Sequence, residues 1–269
     1  MGESDDKDEA HGFRCDTRMT LNPAQVLHDR RWSRVGRVRD EASGATCMRK
    51  VGKLALAEGS PVVEFLTALV AQPHPNLLVP LSFSGVPGEA LVEDYPDLTV
   101  LKKLDVEGFE VRRQLSEGRI SLTQVVDMVT QLCDGVAFIH RSGFVHRDVR
   151  ATNVFLRREP ERLVPILFDY DLVTRPFFLR EGELRVDLEA PPEVRVGYVM
   201  IDGRYDVYQL GWIIRKLIHY EAAPDIWTPV TPVGDALRAV IGRATGSFGE
   251  RYADAGELSS ALAASQTSS

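Results

Sequence analysis

His146-Arg147-Asp148-Val149-Arg150-Ala151-Thr152-Asn153 decides the reading of this chain, together with Asp169-Tyr170-Asp171, which begins sixteen residues after Asn153. The second stretch closes an apolar run, Leu163 to Phe168, that reads as a strand. Taken singly, an Asp near an Asn is a turn, and an Asp at a strand end is a cap. Taken in this order, the three oxygen-bearing side chains match a chemistry. Phosphoryl transfer to a hydroxyl needs a group to receive the proton and hard oxygen ligands for Mg²⁺. Asp148 suits the first task, and Asn153 with Asp169 the second.

Outward from this core the chain changes character. Upstream, Trp32 to Val51 reads as short strands around a turn at Ser43-Gly44. Ser60-Pro61 reads as a helix start, with the helix running to about Ala71 and stopping before Pro73-His74-Pro75. Leu77 to Leu81 and Ala90 to Glu93 are further strand candidates, followed by a short connection at Asp94-Tyr95-Pro96. Beyond it the pattern turns helical. Ser121-Leu122-Thr123-Gln124 is a capping-box sequence, and apolar residues from Val125 to Ile139 follow at helical spacing. Further helices are expected over about Tyr205 to His219, over Gly234 to Arg243, and after Asp254-Ala255-Gly256-Glu257.

Composition narrows the function classes. The chain has 269 residues, 44% hydrophobic and 26% charged, enough to build a core. A formal net charge of −7 supplies no basic field for nucleic acid. Three cysteines at wide spacing, Cys15, Cys47 and Cys133, form neither a metal constellation nor a disulfide framework, which points to a reducing compartment. No continuous apolar run approaches the ~18 residues of a membrane span, and the acidic start lacks a signal-peptide core. A cytoplasmic location is the expectation.

The order of elements resembles the protein kinase superfamily, over about residues 28 to 264, and is similar to the bacterial, eukaryotic-like Ser/Thr kinases. The motifs that carry the likeness are H-R-D-x-x-x-x-N at 146–153, D-Y-D at 169–171, Ala190-Pro191-Pro192-Glu193, the segment from Asp206, and Arg251-Tyr252. The resemblance implies an α+β, bilobal kinase-like fold. A small antiparallel-sheet lobe with one main helix would cover 21–93, a hinge 94–97, and a larger, mainly helical lobe 98–264. An acidic flexible tail at 1–20 and a frayed end at 265–269 would flank them.

It also implies roles. Asp148 would orient the acceptor hydroxyl and take its proton. Asn153 and Asp169 would hold Mg²⁺ against the phosphates of ATP. A strand cation would meet those phosphates and Glu64. Arg49 and Lys50 face opposite sides, so one of them serves; counting from the Ser43-Gly44 turn favours Lys50, residue size favours Arg49, and Lys50 is the expectation. Asp94 and Tyr95 would offer backbone hydrogen bonds to adenine, with Phe155 as its apolar floor. His146, Arg147 and Tyr170 would shape the loops, Tyr170 packing inward beneath the helix that bears Glu64. Glu193 would pair with Arg251, and Asp206 would brace the catalytic loop.

The chain departs from the family pattern at four places. The glycine-rich loop is absent, since the segment His28 to Arg37 carries one glycine. The strand cation is ambiguous. Asp171 replaces a glycine, where a carboxylate would add a metal ligand or restrict the loop's movement. The segment between Asp169 and Glu193 lacks the threonine that would precede Ala190 and contact Asp148, and an acid at Glu181, Glu183, Asp187 or Glu189 would pair with Arg147 in place of a phosphate. The implied activity is ATP- and Mg²⁺-dependent phosphorylation of a protein hydroxyl, Ser/Thr ahead of Tyr. The alternatives are a pseudokinase that binds a nucleotide or a regulated partner protein, and a small-molecule kinase of the aminoglycoside or choline phosphotransferase type.

Overall fold

A computed structural model describes residues 26–29, 33–39, 44–98, 100–160, 162–179, 190–195, 199–219 and 229–267. The acidic start, most of the Ser43-Gly44 turn and the acids Glu181, Glu183, Asp187 and Glu189 lie outside them. The chain forms two compact units, one from residues up to 59 with 80–98, the other from 60–79 with 99 onward. The first is sheet and the second mainly helix, an α+β kinase-like fold.

The sheet unit holds β1 (Val26–Asp29), β2 (Ser33–Arg39), β3 (Thr46–Ala55), β4 (Ser82–Ser84) and β5 (Ala90–Pro96). They lie in the order β1-β2-β3-β5-β4, every neighbour antiparallel. Gly44, at φ 70°, adopts the left-handed backbone that lets the chain turn from β2 into β3. Strand β5 runs through Pro96, with Cys47 opposite Pro96 and Met48 opposite Tyr95. Residues 94–96 are therefore strand, not the connection expected from sequence.

The second unit opens with α1 (Pro61–Ala71) and continues with β6 (Lys102–Lys103), α2 (Leu104–Ser116) and α3 (Leu122–Arg141). Then come β7 (Val154–Arg158), β8 (Leu163–Leu167), β9 (Phe177–Leu179), β10 (Val199–Ile201), α4 (Gly203–Ile218), α5 (Asp235–Ala244) and α6 (Ala255–Thr267). The sequence division assigned α1 to the sheet lobe, but its packing lies here. Phe65 of α1 meets Phe144 and Tyr170 edge-on, at 5.8 and 5.0 Å between centroids. The chain after α1 is tied to backbone carbonyls of the β8 segment: Leu78 N–H donates to Leu167 O at 2.8 Å, and the Asn76 side chain, through Nδ2, to Pro165 O at 2.9 Å. Leu77 and Leu78 are thus joined to Leu167, by one isolated bridge and one backbone bond, where a strand over 77–81 was expected.

Helix α3 is the central element. Ser121 and Gln124 close the capping box reciprocally. Its buried stripe includes Val125, Met128, Val129, Leu132, Val136 and Ile139. Among the described residues it is the one helix long and apolar enough to cross a membrane, yet 56% of its apolar window is buried inside the protein, as in a core helix. Helix α2 is not anticipated by sequence periodicity. Its buried face, Leu104, Glu107, Gly108, Val111 and Leu115, includes an acid and a glycine, while Val106 and Phe109 face outward. At the other end, α6 continues through Thr267, with Ser265 buried and Gln266 Nε2 donating to Asp127 Oδ1 at 2.8 Å, so 265–267 are helix and not frayed.

Candidate catalytic site

The loop after α3 is held from below by α4. Asp206, in the first turn of α4 and fully buried, accepts three hydrogen bonds. Oδ2 accepts from His146 N–H at 2.8 Å and from His140 Nε2 at 2.9 Å; Oδ1 accepts from Arg147 N–H at 2.8 Å. A carboxylate near a helix start is also favoured by the helix dipole. One turn along, Gln209 Oε1 accepts from Val149 N–H at 2.9 Å. His140 Nδ1 accepts from Ala255 N–H at 3.2 Å, which assigns the ring proton to Nε2, where Asp206 receives it. With its backbone clamped this way, Arg147 sits at φ 70°, a left-handed conformation that costs a non-glycine residue of order 1–3 kcal/mol. Its guanidinium lies over the Phe177 ring at 5.2 Å, and burial lowers its pKa against the opposing pull of Tyr205, Asp206 and Asp148.

The three candidate side chains lie on adjacent pieces of chain. A single 3-10 turn, Ala151–Asn153, brings Asn153 back over Asp148. Asn153 Nδ2 donates to Asp148 Oδ2 at 2.6 Å and to Asp148 O at 3.0 Å. The β7–β8 hairpin then closes the sixteen-residue gap: Val154 pairs with Leu167, and Phe168 N–H donates to Asn153 O at 2.9 Å. Asp169 follows at once, itself at φ 71°. The two described non-glycine residues with left-handed backbone are thus Arg147 and Asp169, both inside the motifs quoted from sequence.

Chemically the set suits a hard cation. Nδ2 of Asn153 is committed to Asp148, so its amide oxygen is the atom that could serve as a ligand. Mg²⁺ is commonly held by one or two protein oxygens, with water and phosphate completing the shell. Among the described residues, no group of three or more His, Cys, Asp or Glu side chains converges as a metal site. Asp171 is exposed. Asp148 keeps a quarter of its side chain accessible, and Arg150 Nη1 lies 3.8 Å from its Oδ1.

The supporting residues are tightly built. Tyr170 is fully buried; its hydroxyl lies 3.1 Å from Leu78 O and 3.0 Å from Leu167 O, and its ring meets Phe65 and His146. Phe155 stacks on Phe168 at 4.2 Å. Arg251 binds Glu193 with both arms, at 2.5 and 2.8 Å, over the Tyr208 ring. Glu64 is met by Arg175 at 2.7 Å, and Arg175 lies over Phe144.

In the sheet unit the two neighbouring cations separate as strand alternation demands. Arg49 lies opposite Asp94 and binds it in a fork, at 2.7 and 2.9 Å, both side chains 1% exposed. Ser82 Oγ also reaches Asp94 at 3.2 Å, and Asp94 O accepts from Leu81 N–H at 2.7 Å. Arg49 and Asp94 are thereby engaged inside the sheet. Lys50 lies opposite Glu93 on the other face, with Nζ 3.6 Å from the carboxylate, and Tyr95 donates its hydroxyl to Glu93. The arginines of β2 meet surface groups: Arg34 lies near Asp29, Arg37 near Asp97, and Arg39 donates to Gly44 O. Sequence reasoning did not single out His140, Gln209, Glu93 or Arg175. Gln209 alone left a signal, one turn beyond Asp206 on the same helix.

Residues 41–172 match the protein tyrosine and serine/threonine kinase family, a stretch that contains Lys50, Glu64, Asp148, Asn153 and Asp169. The chain belongs to the protein kinase superfamily. This kinase-family chain is 26% identical over 208 residues to myosin light chain kinase 2, skeletal/cardiac muscle, of Bos taurus, covering 75% of this chain and 32% of that protein. It is 25% identical over 183 residues to serine/threonine-protein kinase 16 of Rattus norvegicus, covering 62% and 58%. Myosin light chain kinase 2 of Rattus norvegicus is 31% identical over 119 residues, covering 42% and 19%. The chain therefore spans less than two thirds of each of these relatives.

Proposed function

We propose that the chain is a protein kinase domain that uses ATP and Mg²⁺ to phosphorylate a protein hydroxyl, with Ser/Thr preferred as in the serine/threonine kinases it is similar to. The observation that carries the reading is the Asp148–Asn153 pair, with Asp169 brought alongside by the β7–β8 register. Bound ATP supplies the phosphoryl group and Mg²⁺ the charge neutralisation. Asp148 receives the acceptor's proton as the new P–O bond forms and the bond to the leaving ADP breaks. Asn153 and Asp169 hold the cation, while Asp206 keeps the Asp148 loop in place through the two preceding amides. Lys50 meets the phosphates as a point charge, a task that suits ammonium better than the forked Arg49.

A second reading, a nucleotide- or partner-binding pseudokinase, draws on specific contacts. Lys50 lies 3.6 Å from the buried Glu93, an acid not expected beside it, and Glu64 is met by Arg175. The test is transfer of labelled γ-phosphate to a generic protein substrate by the wild type, Asp148→Asn and Asp169→Asn, beside thermal-shift titration with ATP with and without Mg²⁺. Transfer lost in both variants supports the enzyme. A metal-dependent shift without transfer supports the pseudokinase, and no shift removes both nucleotide readings.

A further inference from the structure

Glu93 has no part in the chemistry above, yet it is the group built against Lys50. It is 1% exposed. Lys50 and Glu93 are directly opposed on β3 and β5, and directly opposed residues share a face of the sheet. On that face Val35 is paired with Lys50 and Phe83 with Glu93, while Met48 and Tyr95 form the next row. Val35 and Phe83 are apolar neighbours on that face, and the Tyr95 hydroxyl donates to the acid. A charge pair so enclosed is screened far less than one at the surface. Within the pair the acid offsets the charge of the lysine.

We propose that Glu93 is a positioning residue, the resident counter-ion of Lys50, and that it sets ligand specificity there. An approaching phosphate meets a neutralised lysine and a buried carboxylate. Free nucleotide is disfavoured relative to nucleotide whose charge a divalent cation has already reduced. The inference rests on the reading that Lys50 meets nucleotide phosphates. It adds that the strength and cation dependence of that contact are set by Glu93.

The experiment pairs two readouts. The first is the acetylation rate of Lys50 by an amine-directed ester at fixed pH, followed by mass spectrometry without nucleotide. Glu93→Gln removes the counter-charge, so the lysine gives up its proton more readily and labels about tenfold faster, the equivalent of one pKa unit. Tyr95→Phe, which leaves all of the acid's charge to the lysine, labels more slowly. It keeps the test open should Glu93→Gln fail to fold. The second readout is ATP affinity by calorimetry. Glu93→Gln binds metal-free ATP about tenfold more tightly, some 1.4 kcal/mol, with a smaller gain for ATP plus Mg²⁺.

Unchanged Lys50 labelling in Glu93→Gln, or in Tyr95→Phe alone if only that variant folds, overturns the proposal. So does faster labelling with no gain in ATP affinity. Lys50→Met separates this failure from that of the underlying reading. If Lys50→Met loses ATP while Glu93→Gln gains nothing, Lys50 meets the phosphates and only the counter-ion role fails. If all three proteins bind ATP equally, or none binds it, both fail.

Discussion

Replacing Asp206 by Asn tests how the catalytic loop is held. The carboxylate satisfies three buried donors, two of them backbone amides of the loop. An amide keeps the shape but owns one acceptor oxygen. Its least costly placement leaves the oxygen facing His146 N–H and His140, and turns the NH₂ toward Arg147 N–H. One buried donor is then stranded, at about 1–3 kcal/mol, and two charge-assisted bonds become neutral ones, at about 0.5–1 kcal/mol each. The expected loss is about 3 kcal/mol of folding stability, measured by urea denaturation. That is a large share of the ~5–15 kcal/mol that holds a typical domain. The loss is also local: the Arg147 amide, no longer tied while its φ stays at 70°, should exchange hydrogen much faster than the amides of α3. Asp206→Ala strands all three donors and costs more. A loss below about 1 kcal/mol in Asp206→Asn, with Arg147 protection unchanged, would refute this account of the loop.

Three further outcomes follow from single contacts. Gly203→Ala should lose about 1–3 kcal/mol in the same denaturation assay, because the added Cβ would stand 2.8 Å from the Ala253 carbonyl oxygen, a backbone atom with little freedom to move. Arg251→Met should cost about 3 kcal/mol by stranding Glu193, and Arg251→Met with Glu193→Leu should be more stable than that single variant. His74 makes stability pH-dependent. Burial, with a smaller push from Arg141 against Asp134, holds its pKa below the usual 6.5, and its Nδ1 accepts from Asn76 N–H. The unfolded chain then binds the proton first, so this contribution is present above pH 6.5 and is lost as pH falls through the lower folded value. Melting temperature between pH 7.5 and 5.5 should fall less steeply in His74→Leu than in the wild type; an equal slope would contradict this.

The packing around Tyr170 explains how a polar residue replaces Phe at no evident cost. Its hydroxyl lies between two carbonyls, those of Leu78 and Leu167, while its ring fills the space against Phe65. Burial of a tyrosine is tolerable where the O–H finds an acceptor. The same carbonyl of Leu167 receives Leu78 N–H, so one junction fixes both the metal-motif segment and the chain after α1. This is why α1 packs with the helical unit.

What the sequence by itself determined was local or set by spacing. The reciprocal Ser121–Gln124 cap, the apolar stripe of α3, and an apolar run leading to Asp169 are written within a few turns or one strand, where neighbouring residues dictate the geometry. Glu193, Asp206 and Arg251 were implied by the resemblance to the kinase pattern, not by local sequence alone. Only the tertiary structure decided which partner each charge would meet. Alternation placed Arg49 and Lys50 on opposite faces, but the β3–β5 register gave one to Asp94 and the other to Glu93. Helix α2 is not legible in the sequence because an acid and a glycine sit on its buried face, and the apolar run Leu77–Leu81 has the pattern of a strand although only Leu77 bridges to Leu167. Periodicity records which side of an element faces inward; register across forty or a hundred residues depends on the whole packed chain, and no short window contains it.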